Sequence, residues 1–160
     1  MSLNDLLLLP HDQIDYTSLD DGMLRELATQ NSEPYIATSA LAELGARGGH
    51  DARAAAATIL SNELWDRHLF AFAVTTLCDI DCEEAARTIP RLLDVTSDSK
   101  VLGAMVECVL SYPDHFSSSS GQTFLRRLVT KVATVEPDEF TDAEQRTAFL
   151  TRYGGGAGAH

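Results

Sequence analysis

Basic residues are scarce in this sequence: 12 Lys and Arg stand against 24 Asp and Glu, for a net charge of −12. Residues 1–33 hold seven acids against Arg25 alone. A protein that tracks nucleic-acid phosphates needs a basic face, and one that lies on an anionic membrane needs a basic patch. This balance argues against both. It is compatible with a basic protein partner, or with solubility alone.

Cysteines number three, Cys78, Cys82 and Cys108. An odd count in a chain of this size is no disulfide framework, so a reduced, cytoplasmic compartment is expected. Long apolar runs are missing too. Leu6–Leu9 is the only run of four large apolar residues near the N-terminus, too short for a signal core, and it lacks a basic flank. No window approaches the roughly 20 apolar residues of a membrane span. Catalytic signatures are equally thin. No Ser or Cys sits in a strand–turn–helix elbow, and no Gly-rich loop follows a strand. The histidines are His11, His50, His68, His115 and His160, and no two share the i, i+4 spacing of a helical metal site. Neither a catalytic residue nor a cofactor is expected.

What is present is helical periodicity. At 160 residues the chain is one domain's worth. Ser18 is a good N-cap, and Leu19, Met23, Leu24 and Leu27 predict a helix over Leu19–Thr29. Two hairpins follow, each of two antiparallel helices: Pro34–Ala46 with Asp51–Ser61, then Leu64–Asp79 with Glu83–Asp94. Ser32 is the expected cap of the first, and Gly48 and Gly49 stop its first helix. Ala37, Ala40 and Leu44 become Phe70, Ala73 and Leu77 at a step of 33, then Gly103, Val106 and Leu110 at another 33. In the second helices, Ala52, Ala56, Ile59 and Leu60 become Ala85, Ile89, Leu92 and Leu93 at the same step. The third copy, Gly121, Leu125, Leu128 and Val129, needs 36, and the Ser117–Ser120 run accommodates the three extra residues. A fixed period with a helix–turn–helix in each unit predicts an α-solenoid, in which stacked units share the apolar faces that one hairpin cannot cover. Thr141 is the expected cap of a last helix. The domain is read as residues 1–153, with an N-terminal cap over 1–31, repeats over 34–135 and a C-terminal cap over 141–153. Residues 154–160 form a Gly/Ala tail.

These residues resemble a known family. Ile89-Pro90-Arg91-Leu92-Leu93, followed by Asp98, Val101 and Ala104, resembles the HEAT repeat. Ala40-Leu41-Ala42-Glu43-Leu44-Gly45, followed by Asp51-Ala52, is similar to the variant in phycobilisome-lyase-type repeats. Leu102 stands where HEAT units usually carry Arg, and Pro90 occurs only in the second unit. The resemblance implies a short right-handed α-solenoid of about three hairpins with capping helices at both ends. It also implies an interaction scaffold whose second helices line the concave face. Carried over by position, that face comprises 51–61, 83–94 and 121–134. Its outward candidates are Arg53, Thr58, Glu84, Arg87, Arg91, Arg127 and Lys131. This strip is mixed to basic in an acidic molecule, yet too weakly charged for the DNA-glycosylase branch of such folds. Nothing marks a bilin site.

Other candidates carry two readings each. Trp65, in the connection before the third helix of the array, within Glu63-Leu64-Trp65-Asp66-Arg67-His68, is an interface anchor or a residue packed between units. Asp66 and Arg67 are partner contacts or an intramolecular pair. Cys78 and Cys82, with Cys108 and His68, are metal ligands or, for Cys78 and Cys108, small core residues. Glu107 takes a position that is Leu41 and Val74 in the earlier units, as a perturbed acid or as a sign that the helix nears solvent there.

The expected function is a non-catalytic protein-binding module, monomeric on its own. A small, acidic, HEAT-like chain resembles bacterial immunity proteins, which cover the active site of a cognate, often basic, toxin. The rivals are a lyase-type protein that handles a small ligand or chromophore, and a structural subunit that self-associates through an open end.

Overall fold

A computed structural model describes residues 2–30, 33–62 and 66–155. Among these the protein is all α-helical, with nine α-helices and no strand. They are α1 (Leu3–Leu7), α2 (Asp21–Thr29), α3 (Pro34–Arg47), α4 (His50–Leu60), α5 (Arg67–Ile80), α6 (Cys82–Leu92), α7 (Ser99–Ser111), α8 (Ser119–Thr134) and α9 (Ala143–Phe149).

Local chemistry fixes where the helices begin. Asp20, Asp66, Asp81, Asp98 and Asp142 each accept a hydrogen bond from a first-turn amide, of Met23, His68, Glu84, Lys100 and Gln145 respectively. Part of the acidic excess is therefore structural: a carboxylate here satisfies an amide that has no partner within the helix and complements the helix dipole. Between α3 and α4 the chain turns through Gly48 (φ 73°) and Gly49 (φ 92°), a conformation that side chains resist.

Several starts differ from the sequence reading; α4 and α6 begin one residue early, at His50 in place of Asp51 and at Cys82 in place of Glu83. The helix expected from Leu19 begins at Asp21, because the Ser18 hydroxyl donates to the carbonyl of Asp15 at 2.8 Å and Asp20 takes the cap. The last helix is capped by Asp142 in place of Thr141. Its final turn runs through Leu150–Gly154, so Gly154 belongs to the helical end and not to the tail. The helix expected from Leu64 begins at Arg67, after the Asp66 cap. Ser32 and Leu64 lie outside the described residues.

Packing joins the elements through one connected buried cluster that runs from Leu6 to Phe149. At its centre α5 packs against α3, α4, α6 and α7. It buries Leu69, Phe70, Val74 and Leu77, each side chain contributing about 1.5–3 kcal/mol on burial. On α4 the inner face is Ala52, Ala55 and Ala56, all fully buried, which lets α5 approach closely. The 33-residue correspondence is visible in burial: Ala40, Ala73 and Val106 are all at 0% exposure. The serine run expected to be an inserted loop is only partly one, since Ser118 caps α8 and Ser119 and Ser120 begin it; before it the turn Pro113–Phe116 seats Phe116 against Phe124, ring centroids 5.6 Å apart. Helix α2 lies on α3 and α4, α9 lies on α7, and the Leu150–Gly154 turn lies on α8.

Ion pairs on the surface tie each helix, or its cap, to the next helix but one. Arg25 meets Asp51 at 3.6 Å, Arg53 meets Asp81 at 3.4 Å, Arg67 meets Asp98 at 3.3 Å, and Arg127 pairs with Asp94. The Tyr112 hydroxyl donates to Asp79 at 3.1 Å. Each exposed pair is worth about 0–1 kcal/mol, so their effect is on register more than on total stability.

Candidate functional site

The 33-residue correspondence read from the sequence is broken on α7 at two positions one helical turn apart. Gly103 stands where Phe70 stands in the second unit, and Glu107 where Val74 stands. Both side-chain positions line a groove of about 460 Å³ between α5 and α7. Losing an aromatic side chain at 103 leaves room that Phe140 fills only in part, since a Cβ on Gly103 would stand 3.9 Å from the Phe140 ring. The floor is apolar: Ala71, Phe72, Ala104, Val106 and Phe140. The rim is polar: His68 and Thr75 from α5, Ser99, Lys100 and Glu107 from α7, and Thr141, Asp142 and Gln145 at the start of α9. Among the described residues, the side chains of His68, Lys100, Glu107 and Gln145 make no hydrogen bond or ion pair. These polar groups stand beside an apolar floor. A smaller hollow of about 170 Å³ continues the same face between α3 and α5, with Ala42, Gly45, Phe72 and Ile80 among its lining.

The residues expected from the second helices occupy a different surface, and most are engaged within the chain. Arg53 pairs with Asp81 and lies 3.4 Å from the His50 ring nitrogen. Arg87 pairs with Glu83 and Glu84 on its own helix. Arg127 pairs with Asp94. Lys131 donates to the carbonyls of Leu93 and Thr96 at the end of α6. Asp66 caps α5, and Arg67 takes the intramolecular role by pairing with Asp98. Thr58 donates to the carbonyl of Ala54. Arg91 is exposed and unpaired among the described residues. Trp65 lies outside them.

The cysteines are not the simple core residues expected of Cys78 and Cys108. Those two are buried and joined by a disulfide that links α5 to α7, with a Cα–Cα distance of 6.0 Å. Cys82, the first residue of α6, is a free, half-buried thiol whose Sγ lies 3.7 Å from that of Cys78. Burial pushes the Cys82 thiol up from its ordinary pKa, and the Asp81 and Asp79 carboxylates push it the same way. The Tyr112 hydroxyl is also raised, first by donating to Asp79 and then by that residue's charge. His68 does not join this cluster. It is ten residues back along α5, about 15 Å at the helical rise, and sits on the groove rim.

The groove residues Phe72, Phe140 and Gln145 were not singled out from sequence. The usable signal was the paired departure at Gly103 and Glu107. Phe140 and Gln145 carried none, because they reach the groove from beyond the repeats.

No helix among the described residues is long and apolar enough to cross a membrane. Compared with known proteins, the chain matches no family model, no curated protein and no solved structure.

Proposed function

We propose that this chain is a non-catalytic protein-binding module, built as a short right-handed solenoid of three HEAT-like hairpins with capping helices. Its binding site is the α5–α7 groove. The observation that carries the reading is the groove's composition: an apolar floor beneath His68, Lys100, Glu107 and Gln145, whose side chains have no partner among the described residues. Such a surface suits an extended segment that buries one or two apolar side chains and hydrogen-bonds along the rim. The solenoid part draws support from the 33-residue burial correspondence and from Asp–Arg pairs between alternate helices, α4 with the α6 cap and α5 with the α7 cap. The opposite strip is the weaker candidate, since Arg53, Arg127 and Lys131 are already spent on intramolecular contacts.

The partner this reading favours is a basic protein, given the net charge of −12. A cytoplasmic immunity protein against a basic toxin is its narrowest form. Complementary charge then speeds association and makes it salt-sensitive.

The test is site-specific photo-cross-linking, with a benzophenone amino acid placed at Glu107 in one protein and at Arg91 in another, in extract of the native cell. A discrete adduct from position 107 that disappears when Gly103→Trp fills the groove supports the proposal. Adducts from 91 but not 107 move the site to the second-helix strip. A small molecule that is retained by the native protein in mass spectrometry and displaced by Gly103→Trp establishes the ligand-handling alternative, for which a groove of this volume has room.

A further inference from the structure

Three helices bring their cysteines to one point. Cys78 comes from the last turn of α5, Cys82 from the first residue of α6, and Cys108 from the last turn of α7. All three sulfurs lie within 4.8 Å of one another. Two are buried, at 2% and 3% exposure, and Cys82 is half-buried. The turn that places Cys82 is held by Asp81, which caps α6 at the Glu84 amide and is gripped by Arg53. The α5–α7 packing fixes the other two. The cluster is thus set by the framework and does not depend on mobile side chains meeting by chance.

We propose that, once the Cys78–Cys108 bond is reduced, Cys78, Cys82 and Cys108 form a three-thiolate site for one soft d10 cation, with Cu(I) the best match. A dithiol supplies the reduction. It gives two electrons and two protons, the S–S bond breaks to two thiols, and the dithiol leaves as its own disulfide. The cation then displaces a proton from each sulfur it binds, and those protons go to solvent. Three sulfurs bonded to one metal at about 2.3 Å stand about 4 Å apart. Cys82 and Cys78 are already at 3.7 Å, and breaking the disulfide lets the Cys78 and Cys108 sulfurs separate toward the same spacing.

Donor chemistry selects the ion. Thiolates favour Cu(I), Zn(II) and iron–sulfur clusters over hard cations. Zinc sites closed by protein ligands take four, and among the described residues these three cysteines are the only such cluster. Three-coordinate Cu(I) needs no fourth. The occupied site would link the three helices in a reducing compartment, where the disulfide does not persist.

The experiment uses the full chain, reduced with a phosphine under argon and desalted. Cu(I) is titrated against a chromophoric chelator, with Zn(II) in a parallel series and Mg(II) as a hard-ion control. The expected result is one equivalent of Cu(I) bound, with thiolate-to-metal absorption in the ultraviolet and no uptake of Mg(II). The oxidised protein and Cys82→Ser should bind weaker by at least the roughly 10- to 100-fold that even loss of an outer-shell partner costs. Cys82→Ser keeps the Cys78–Cys108 pair, so its circular dichroism controls for folding. Cu(I) uptake by the reduced wild type no tighter than by Cys82→Ser overturns the proposal, as does uptake of several equivalents. A Zn(II) affinity above that for Cu(I), each set against the same variant, keeps the site and overturns the choice of ion. Reoxidation to a Cys78–Cys82 disulfide without metal uptake would show that Cys82 serves thiol exchange instead.

Discussion

The Lys131 ammonium on α8 donates to the carbonyl oxygen of Thr96 at 2.7 Å and also to that of Leu93, the C-cap residue of α6. A cation at a helix C-terminus is favourable twice, through the hydrogen bonds and through the helix dipole. Lys131→Met keeps the apolar stem and removes the ammonium. It should destabilise the protein by about 1.5–3 kcal/mol, the range for hydrogen bonds to a charged group. Urea unfolding reads this as a lower midpoint at unchanged slope. An unchanged midpoint would return Lys131 to the set of residues free to meet a partner.

Two glycines in helices should respond to alanine with opposite signs. A Cβ on Gly121 would stand 2.4 Å from the carbonyl oxygen of Phe116 and 2.6 Å from its carbon, both backbone atoms that cannot step aside. Gly121→Ala should therefore cost about 1–3 kcal/mol or more, as overpacked sites do. A Cβ on Gly103 meets only the Phe140 ring, at ordinary contact distance. There alanine removes the entropic penalty of a mid-helix glycine, and Gly103→Ala should stabilise by about 0.5–1 kcal/mol. Thermal unfolding of the pair is the check. A loss at both positions would mean that the α7 face near the groove is tighter than its distances indicate.

The helices from α3 to α8 were legible because their signal is local. Apolar residues at helical spacing, repeated at a step of 33, mark buried faces such as Ala40, Ala73 and Val106. Charge was legible only as position, not as pairing. Arg53 and Lys131 lie on the strip expected to be outward, yet their partners are 28 and 35 residues away, beyond any local pattern. The cysteines were raised as possible metal ligands, but the Cys78–Cys108 bond was not foreseen, for a related reason. Cys78 and Cys108 are 30 residues apart, three short of the period, so they are not equivalent positions, and they meet only because α5 and α7 pack side by side. The groove was half legible. Gly103 and Glu107 break the pattern in sequence, whereas Phe140 enters from outside the repeats.

Reducing the Cys78–Cys108 bond should weaken the fold by a predictable amount. The bond spans 30 residues, and in the chain-entropy account a loop of that length is worth about 3–4 kcal/mol at 25 °C. Urea unfolding with and without a phosphine reductant, in the presence of a chelator, measures the difference. Cys108→Ala should match the reduced protein to within the cost of trimming one buried sulfur and should not respond to the reductant. If wild type and Cys108→Ala respond alike to the reductant, the two cysteines are not bonded in solution.

Asp81 couples acid stability to the α5–α6 turn. Its carboxyl is held below the ordinary value of 3.8, first by the hydrogen bond donated from the Glu84 amide and then by Arg53. A carboxyl whose folded-state pKa is depressed contributes stability that is complete above the unfolded-state value and is lost as pH falls through the folded one. Asp81→Asn isolates the charge, because asparagine caps a helix about as well as aspartate. The variant should be modestly less stable than wild type at neutral pH. That gap should hold down to about pH 5, narrow near the ordinary carboxylate value, and close at lower pH as Asp81 protonates. Urea midpoints for both proteins at pH 7, 5 and 3 give the test. A gap that stays constant across that range would assign the loss to altered packing or capping, with no contribution from the Asp81 charge.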